Sequence, residues 1–415
     1  MGEIAIVGGG LSGLAIGHLL SPKHRVVIYE KSPELGGALQ PVRRSHYEIE
    51  GFYHHAFRDD RHFLKLCADL GIPVSFRKAK TALLDDGLYP MSGALNILGY
   101  SRLGIADRAR LTCFLAKILA VKNLGQYDRV TARDWVMNNG GSGIYRMFFG
   151  PMLDGKWGAD ANDVSAAWLI GRFQMRSRRS VSGETLGYPA GGFVTLIRAL
   201  EKKITQNSGR IHSSSPVSRI NIRDNRVVSI DVKGKRIKAD AVICTIPNML
   251  DIAGWPAEYR ARIARLRHQR SVCLVLGLKR GLSEYYWTNV MQDLPYRAII
   301  EHTNFQQPSL YREHIVYLAS YPSGNTGSCE EICRSYVRAL RKQFSLADKD
   351  INWVRVVKTE HAGLVYRTGV LDDILDPVSP VRGLFVSGMN CAYPQRSMDK
   401  ILSIANRVAQ QVGDV

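Results

Sequence analysis

Three glycines at fixed spacing, Gly8, Gly10 and Gly13, are followed by an acidic residue, Glu30, 17 residues further on. In a strand–turn–helix unit the first glycine permits a tight turn, the second lets the backbone approach a pyrophosphate, and the third lets the helix pack on the strand. The helix N-terminus then offers N–H groups and partial positive charge to phosphates. A carboxylate at Glu30 would accept hydrogen bonds from ribose hydroxyls. The spacing predicts a dinucleotide site; an ordinary glycine turn is the alternative.

The elements that must position these residues are predicted from apolar patterning. Residues 3–7 and 25–29 are short apolar runs typical of buried strands, and residues 11–20 between them are predicted to be a helix. At the other end, a strand over 383–388 is predicted to lead into a helix over 398–412. Strand and helix alternate at both ends, which predicts an α/β fold whose parallel sheet is built from distant segments. The segments between these ends would form an inserted domain. A helix is predicted over 61–71, mostly helical structure over 100–180, and strands over 211–245 and 271–321.

A second glycine pair, Gly36-Gly37, follows soon after Glu30. With this pair, the opening of the chain resembles the flavin-containing amine oxidase superfamily, whose signature continues the first motif with Gly-Gly. Further segments that resemble family motifs are Pro189-Ala-Gly191-Gly192, Ser215-Pro-Val217, Ala241–Pro247 and Gly383–Asn390. The resemblance implies FAD, with the pyrophosphate at the first motif, the flavin near the second and Val217 against adenine. The implied cofactor-binding residues are Gly8, Gly10, Leu11, Ser12, Gly13, Glu30, Lys31, Gly36, Gly37, Ala38, Val217, Gly388, Met389, Asn390, Ser397 and Met398.

Within the superfamily, the sequence is similar to protoporphyrinogen-oxidase-like proteins, on the strings Gly51–Asp60, Gly155–Asp160 and Ile300–Phe305. The resemblance implies a two-domain flavoprotein with an α/β, Rossmann-type FAD-binding domain and an interleaved α+β substrate or cap domain. The FAD-binding domain is expected to comprise 1–60, 185–262 and 375–415. The cap domain is expected to comprise 61–184 and 263–374.

Two positions depart from the family pattern. Where the family usually has an acidic residue that binds the ribityl chain, this chain has Met389-Asn390. Asn390 is expected to hydrogen-bond a ribityl hydroxyl instead. The last helix begins at Arg396-Ser397-Met398 rather than at a glycine, and its N-terminus is still expected to stabilise negative charge on the flavin pyrimidine ring. Asp399, in the first turn, is expected to be a structural cap.

Few side chains are needed for catalysis when a cofactor performs the redox step. Candidate catalytic residues are His54 and His55, as proton acceptors or substrate hydrogen-bonders, and His302; structural histidines are the alternative. The polar run from Glu301 to Asn304 predicts either a cavity lining or a plain edge strand. Candidate substrate residues are Lys156, for an anionic group, Asn304, and the aromatic walls Tyr366 and Tyr393; a solvated lysine and core packing are the alternatives. A lysine that some amine oxidases carry looks absent near Ser271, which disfavours a true amine oxidase.

The charge of the chain favours an anionic partner. It has 415 residues, with 56 Lys and Arg against 37 Asp and Glu, a net charge of +19. Arginines cluster in two stretches, which predicts docking on an anionic membrane surface or attraction to a phosphorylated carrier; the alternative is a solvated face. The members are Arg172, Arg176, Arg178 and Arg179, and then Arg260, Arg262, Arg265, Arg267 and Arg270. No recognition motif supports nucleic-acid binding.

Cysteine usage and hydropathy suggest where the protein works. Seven scattered cysteines predict neither a disulfide scaffold nor a metal site. The N-terminus lacks the pattern of a signal peptide, and no apolar run is long enough to span a bilayer. The expected location is therefore cytoplasmic, peripheral to the inner face of the membrane. The sequence gives no oligomeric state.

The expected function is that of an FAD-dependent oxidoreductase. A hydride would pass between flavin N5 and an organic substrate, small or lipid-linked, with polycyclic or isoprenoid compounds among the options. Two alternatives remain on the same fold: a non-redox flavin enzyme of the sugar mutase type, and a prenyl-lipid-binding escort protein.

Overall fold

The computed structural model describes residues 3–413 except 93–95, 97–98, 102, 178–183, 325–326 and 395. The helices of eight or more residues are α1 (Leu11–Leu20), α2 (Arg61–Asp69), α3 (Ile105–Ala120), α4 (Ala132–Gly140), α5 (Gly150–Trp157), α6 (Ala166–Ser177), α7 (Phe193–Gln206), α8 (Ala257–Arg265), α9 (Cys329–Phe344) and α10 (Met398–Gly413). The strands are β1 (Glu3–Val7), β2 (Arg25–Tyr29), β3 (Pro41–Arg43), β4 (Glu48–Glu50), β5 (Ala56–Phe57), β6 (Val74–Ala79), β7 (Thr81–Leu84), β8 (Leu88–Pro90), β9 (Glu184–Pro189), β10 (Arg210–His212), β11 (Val217–Arg223), β12 (Arg226–Val232), β13 (Lys235–Lys238), β14 (Ala241–Cys244), β15 (His268–Leu278), β16 (Trp287–Val290), β17 (Ala298–Glu301), β18 (His314–Ser320), β19 (Ile351–Leu364) and β20 (Leu384–Val386).

A five-stranded parallel sheet has the order β10-β2-β1-β14-β20. Its central strands are apolar and almost wholly buried, as expected of a parallel sheet covered on both faces. The predicted strands over 3–7 and 25–29 and the helix between them have the predicted bounds. The prediction of a parallel sheet assembled from distant segments is confirmed, and α1 packs against both α7 and α10. All five strands come from the segments expected to bind FAD; the domain bounds stay a prediction.

A second, seven-stranded sheet has the order β19-β15-β18-β17-β16-β7-β8. It is antiparallel except for the β16–β7 pair, and α9 packs against β15 and β19. The long strands β15 and β19 run side by side, with His268 opposite Leu364 and Gln269 opposite Gly363 at one end. This sheet and the surrounding helices form the α+β part of the expected fold. In the described part of the chain, no helix is long and apolar enough to cross a membrane, and all seven cysteines are free thiols.

The second arginine stretch is bonded within the chain, which the sequence did not predict. Arg265 and Arg367 share the buried carboxylate of Asp373, at 2.7 and 2.6 Å. The other members of the stretch bond to carboxylates or carbonyls of distant segments: Arg260 to Asp251, Arg262 to the Ile374 carbonyl, Arg267 to Asp160 and Arg270 to Glu360. Each of these guanidinium groups therefore has a partner within the chain, and docking of this stretch on an anionic surface stays a prediction. Arg178, Arg179 and the side chain of Arg176, from the first stretch, lie outside the described residues.

Candidate functional site

Two glycine turns lie side by side at the carboxyl end of β1. Gly8 has φ +109°, a conformation that favours glycine, and a Cβ at Gly13 would collide with the Gly8 carbonyl oxygen. The N–H of Gly36 donates to the Gly9 carbonyl at 2.9 Å, which joins the second turn to the first. The geometry agrees with the predicted roles of Gly8 and Gly13: a tight turn with α1 packed closely on it.

The space in front of Gly10 is open. A Cβ at Gly10 would find its nearest neighbour, the Gly37 Cα, 3.9 Å away. Gly10 is the N-cap of α1, and no side chain caps the helix, so the first turn at Leu11 and Ser12 can offer N–H groups to an anion. Gly37 and Ala38 are exposed beside this opening. The opening is a backbone cradle that fits the pyrophosphate of a dinucleotide.

Glu30 bonds to the first glycine turn and to the segment that follows β2. Its buried carboxylate accepts the Gly9 N–H at 2.6 Å and the Ser32 N–H at 2.8 Å. Each oxygen keeps a second lone pair, which a ribose hydroxyl could use. The Ser215 N–H donates to the Glu30 carbonyl at 2.7 Å, which places Val217, two residues on, near this strand end. Lys31 is exposed at the same end.

The C-terminal motif contacts the first helix. Gly388 has φ +100°, and the preceding Ser387 hydroxyl lies 2.9 Å from that of Ser12. Asn390 is buried; its Nδ2 donates to the Pro247 carbonyl at 2.9 Å, and its Oδ1 lies 2.8 Å from His268 Nε2. Both ends of the Asn390 amide thus have a partner within the protein, and its bond to a ribityl hydroxyl stays a prediction.

The start of α10 is capped as expected, but by a different residue. Ser397 Oγ accepts the Lys400 N–H at 3.0 Å, and Met398 packs against the core. Asp399 does not cap its own helix: its Oδ1 accepts the N–H groups of His62 and Phe63, in the first turn of α2, at 2.6 and 3.0 Å. The predicted structural role of Asp399 is therefore real, and it serves a neighbouring helix.

The three candidate catalytic histidines differ in their surroundings. His54 Nδ1 lies 2.7 Å from the Phe52 carbonyl, and burial lowers the pKa of His54 to about 4. His55 Nδ1 lies 3.1 Å from the Tyr286 hydroxyl. His302 is only 3% exposed, with Nε2 2.8 Å from the Tyr311 hydroxyl, and burial lowers its pKa to about 3. His54 and His302 are thus neutral at pH 7, and His302 belongs to a buried aromatic network instead of an open cavity.

These lowered pKa values predict that acid destabilises the protein. The unfolded chain binds a proton on His302 below about pH 6.5, while the folded chain excludes it down to about pH 3, so stability falls as the pH decreases through this interval. His302→Gln should flatten the fall by roughly 1.4 kcal/mol per pH unit. Urea unfolding of wild type and variant between pH 4 and pH 7 measures the difference. His212→Gln, at an exposed histidine, is the control; equal slopes for wild type and His302→Gln would contradict the assignment.

The candidate substrate residues separate into two groups. Asn304 donates from Nδ2 to the carbonyls of Ser283 and Tyr285, each at 2.9 Å, and so fastens a loop. Tyr393 donates to Asp128 at 2.8 Å. Both side chains therefore bond to distant parts of the chain, and their contact with a substrate stays a prediction. Tyr366 is buried, with its hydroxyl on the Ala392 carbonyl at 3.2 Å, and Lys156 Nζ lies 3.6 Å from the centre of the Tyr321 ring.

Sequence reasoning missed the residues that connect this second group. The Tyr53 and Tyr321 hydroxyls hydrogen-bond each other. Burial raises the pKa of Tyr53 and of Tyr366 and lowers the pKa of His54. The positive charge of the Arg396 guanidinium acts on all three groups and lowers the pKa of each. Its only sequence signal was an arginine just before the last helix, where the family has a glycine.

Comparisons with known proteins agree with this geometry. The family model for flavin-containing amine oxidoreductase matches residues 11–413. An uncharacterized protein of Methanocaldococcus jannaschii is 23% identical over 240 residues, 54% of this chain and 55% of that protein, so the match spans about half of the relative's length.

Two solved structures share the fold across almost the whole chain. A provisionally assigned protoporphyrinogen oxidase from Exiguobacterium sp. 255-15 has a TM-score of 0.80 at 16% identity, covering 99% of this chain and 98% of that one. A reduced UDP-galactopyranose mutase also has a TM-score of 0.80 at 16% identity, covering 100% and 96%. The family-model match begins at Leu11, directly after Gly10, and includes Gly13, the Glu30 strand end, the second glycine turn and the C-terminal motif. The chain therefore belongs to the flavin-containing amine oxidoreductase family, and its cofactor is FAD.

Proposed function

We propose that this protein is an oxidoreductase that transfers a hydride between an organic substrate and N5 of FAD. The observation that carries the proposal is the open, uncapped cradle at Gly10 in a chain that the family model matches almost end to end. Bound FAD supplies the redox chemistry. The protein's share is to bind the dinucleotide through the α1 N-terminus and Glu30, and to orient a substrate C–H against it.

The residues around Tyr53 are the proposed substrate walls. Tyr53, Tyr321 and Tyr366 bring ring surface and exclude water, which strengthens electrostatic contacts inside the site. His54 is neutral and bonded at Nδ1 to a carbonyl, so Nε2 is the nitrogen free to accept a proton in that tautomer. Of the three histidines, we assign His54, which directly follows Tyr53 in the chain, as the proton acceptor.

The visible spectrum of the purified protein tests the proposal first. A flavin spectrum at one FAD per chain is expected. Organic substrates, lipid-linked and isoprenoid compounds among them, are then screened for anaerobic bleaching of that spectrum. A yellow protein that converts a nucleotide sugar only when reduced, without net oxidation, would favour the sugar mutase alternative, which the mutase-like fold supports. A colourless protein would favour a prenyl-lipid escort.

We further propose that the protein docks on an anionic membrane surface through α9. Arg334, Arg338 and Lys342 are exposed at four-residue spacing, hence on one face of this helix. They border a groove of about 840 Å³ whose lining includes Leu346 and Val354. Each such cation near an anionic bilayer contributes about 1 kcal/mol, so three suffice for reversible binding.

Co-sedimentation with phosphatidylglycerol vesicles measures this docking. Replacing Arg334, Arg338 and Lys342 by Glu should lower the partition coefficient onto the vesicles by about a hundredfold. Added salt should also weaken the binding of the wild type, because it screens the charges. Replacing Lys233, Lys235 and Lys238 by Glu makes the same change of charge on the exposed β12–β13 hairpin and is the control. If the two triple variants bind the vesicles equally weakly, net charge alone accounts for the binding, and the assignment of the docking surface to α9 is wrong.

A further inference from the structure

The Arg396 guanidinium is a half-buried positive charge without a carboxylate partner. Within the described residues it makes no ion pair and no hydrogen bond. By contrast, Arg265 and Arg367 converge on one buried aspartate. Withdrawing a charge from water is costly unless it is paired. The groups whose pKa the Arg396 charge lowers are two tyrosines and a histidine that is neutral at pH 7.

The backbone beneath Arg396 is shaped to receive it. A Cβ at Gly363, on β19, would lie 2.9 Å from the Arg396 Cζ and 2.8 Å from its Cδ. Only a residue without a side chain lets the guanidinium lie across the strand at this point. The absence of a side chain at Gly363 therefore determines where Arg396 lies.

A second cation is tied to the same place. Gln269, directly opposite Gly363 in the β15–β19 pair, donates its side-chain amide to the Lys156 carbonyl. The Lys156 ammonium rests on the Tyr321 ring, whose hydroxyl bonds to Tyr53. The Lys156 backbone and the Arg396 side chain thus meet β15 and β19 at the paired positions Gln269 and Gly363, and the Lys156 ammonium lies on the tyrosine pair.

We propose that Arg396 and Lys156 form a two-cation receptor for an oxyanion of the substrate, a carboxylate or a phosphate. The inference rests on the proposed function, since it identifies the class of substrate that this site binds. The planar fork of Arg396 can grip an oxyanion with two parallel N–H bonds, while Lys156 adds a compact point charge. A cationic polyamine would be repelled by the same pair, so the receptor selects anionic over amine substrates.

Calorimetric titration of the FAD-loaded protein with benzoate and with inorganic pyrophosphate tests the receptor. At least one of the two anions should bind, and which one binds more tightly distinguishes a carboxylate from a phosphate. Arg396→Met should weaken that binding by at least about tenfold, the effect of losing a charge-assisted bond. Lys156→Met should weaken anion binding less than Arg396→Met does, and the affinity of Arg396→Lys should fall between those of wild type and Arg396→Met. Gly363→Val should weaken binding as much as Arg396→Met does, because the added side chain displaces the guanidinium. Arg355→Met removes an exposed arginine from the same strand and should change nothing.

Several outcomes would overturn the proposal. One is wild-type protein that binds neither anion; another is Arg396→Met protein that binds as wild type does. A third is an Arg396→Met protein whose FAD midpoint potential changes while its anion affinity does not. That result would show that Arg396 interacts with the flavin and not with the substrate. Calorimetry does not require the flavin, so a protein that lacks FAD but binds the anion through Arg396 would refute the proposed oxidoreductase while leaving the receptor intact.

Discussion

Replacing Gly10 by valine is expected to give a folded protein that no longer retains FAD. The nearest protein atom to a Cβ at this position is 3.9 Å away, so the protein itself has room for one. The room is in front of the uncapped first turn of α1, where the pyrophosphate would approach the backbone. A β-branched side chain there should therefore displace the ligand and leave the fold unchanged. Flavin absorbance after gel filtration, together with far-UV circular dichroism, measures both effects.

Two further glycine variants make the expected result specific. Gly254→Val adds the same side chain at an exposed glycine with no atom within 4 Å and should keep both fold and flavin. Gly13→Val should instead disrupt the fold, because its Cβ would collide with the Gly8 carbonyl oxygen. Stoichiometric FAD in Gly10→Val protein would show that the pyrophosphate does not bind at this turn.

The parts of the fold predicted correctly from the sequence are those determined by local physics. The short apolar strands β1 and β2 and the helix between them follow from runs of buried residues and from glycines that permit a turn. The helix predicted over 61–71 ends at Asp69, since Gly71 adopts φ +70°, a left-handed conformation that terminates helices. That distant segments assemble into one parallel sheet was predicted from the class of fold. The order of the strands in that sheet was not predicted.

The substrate side could not be predicted in the same way, because its contacts join distant segments. Arg396, Gly363, Gln269 and Lys156 come from four different elements, and no spacing along the chain relates them. Asn390 illustrates the converse: its position in the motif indicated the cofactor, whereas tertiary packing directs its amide to Pro247 and His268. A residue's type gives its chemistry, but only the packing around it decides which partner it meets.

Glu50 is a buried carboxyl for which no motif or spacing predicted a role. It is 1% exposed, at the end of β4. Its carboxyl accepts the Tyr188 hydroxyl at 2.7 Å and the N–H of Phe193, the first residue of α7. Burial raises the pKa of Glu50, and the bonds from Tyr188 and Phe193 oppose that effect. The carboxyl thus fixes α7 and the aromatic network next to His302.

Glu50→Ala is expected to destabilise the protein by about 2–5 kcal/mol, since it leaves two buried donors without an acceptor at about 1–3 kcal/mol each. Glu50→Gln should stay within about 1 kcal/mol of wild type, because its carbonyl oxygen can accept the Phe193 N–H while its amide donates to the Tyr188 oxygen. A carboxyl whose folded pKa lies above its ordinary value loses stability as the pH rises through that folded pKa, so the glutamine variant should gain relative to wild type with increasing pH. Urea unfolding of the three proteins from pH 5 to pH 8 measures these differences. If Glu50→Gln is as unstable as Glu50→Ala at every pH, the negative charge itself, and not the pair of hydrogen bonds, anchors α7.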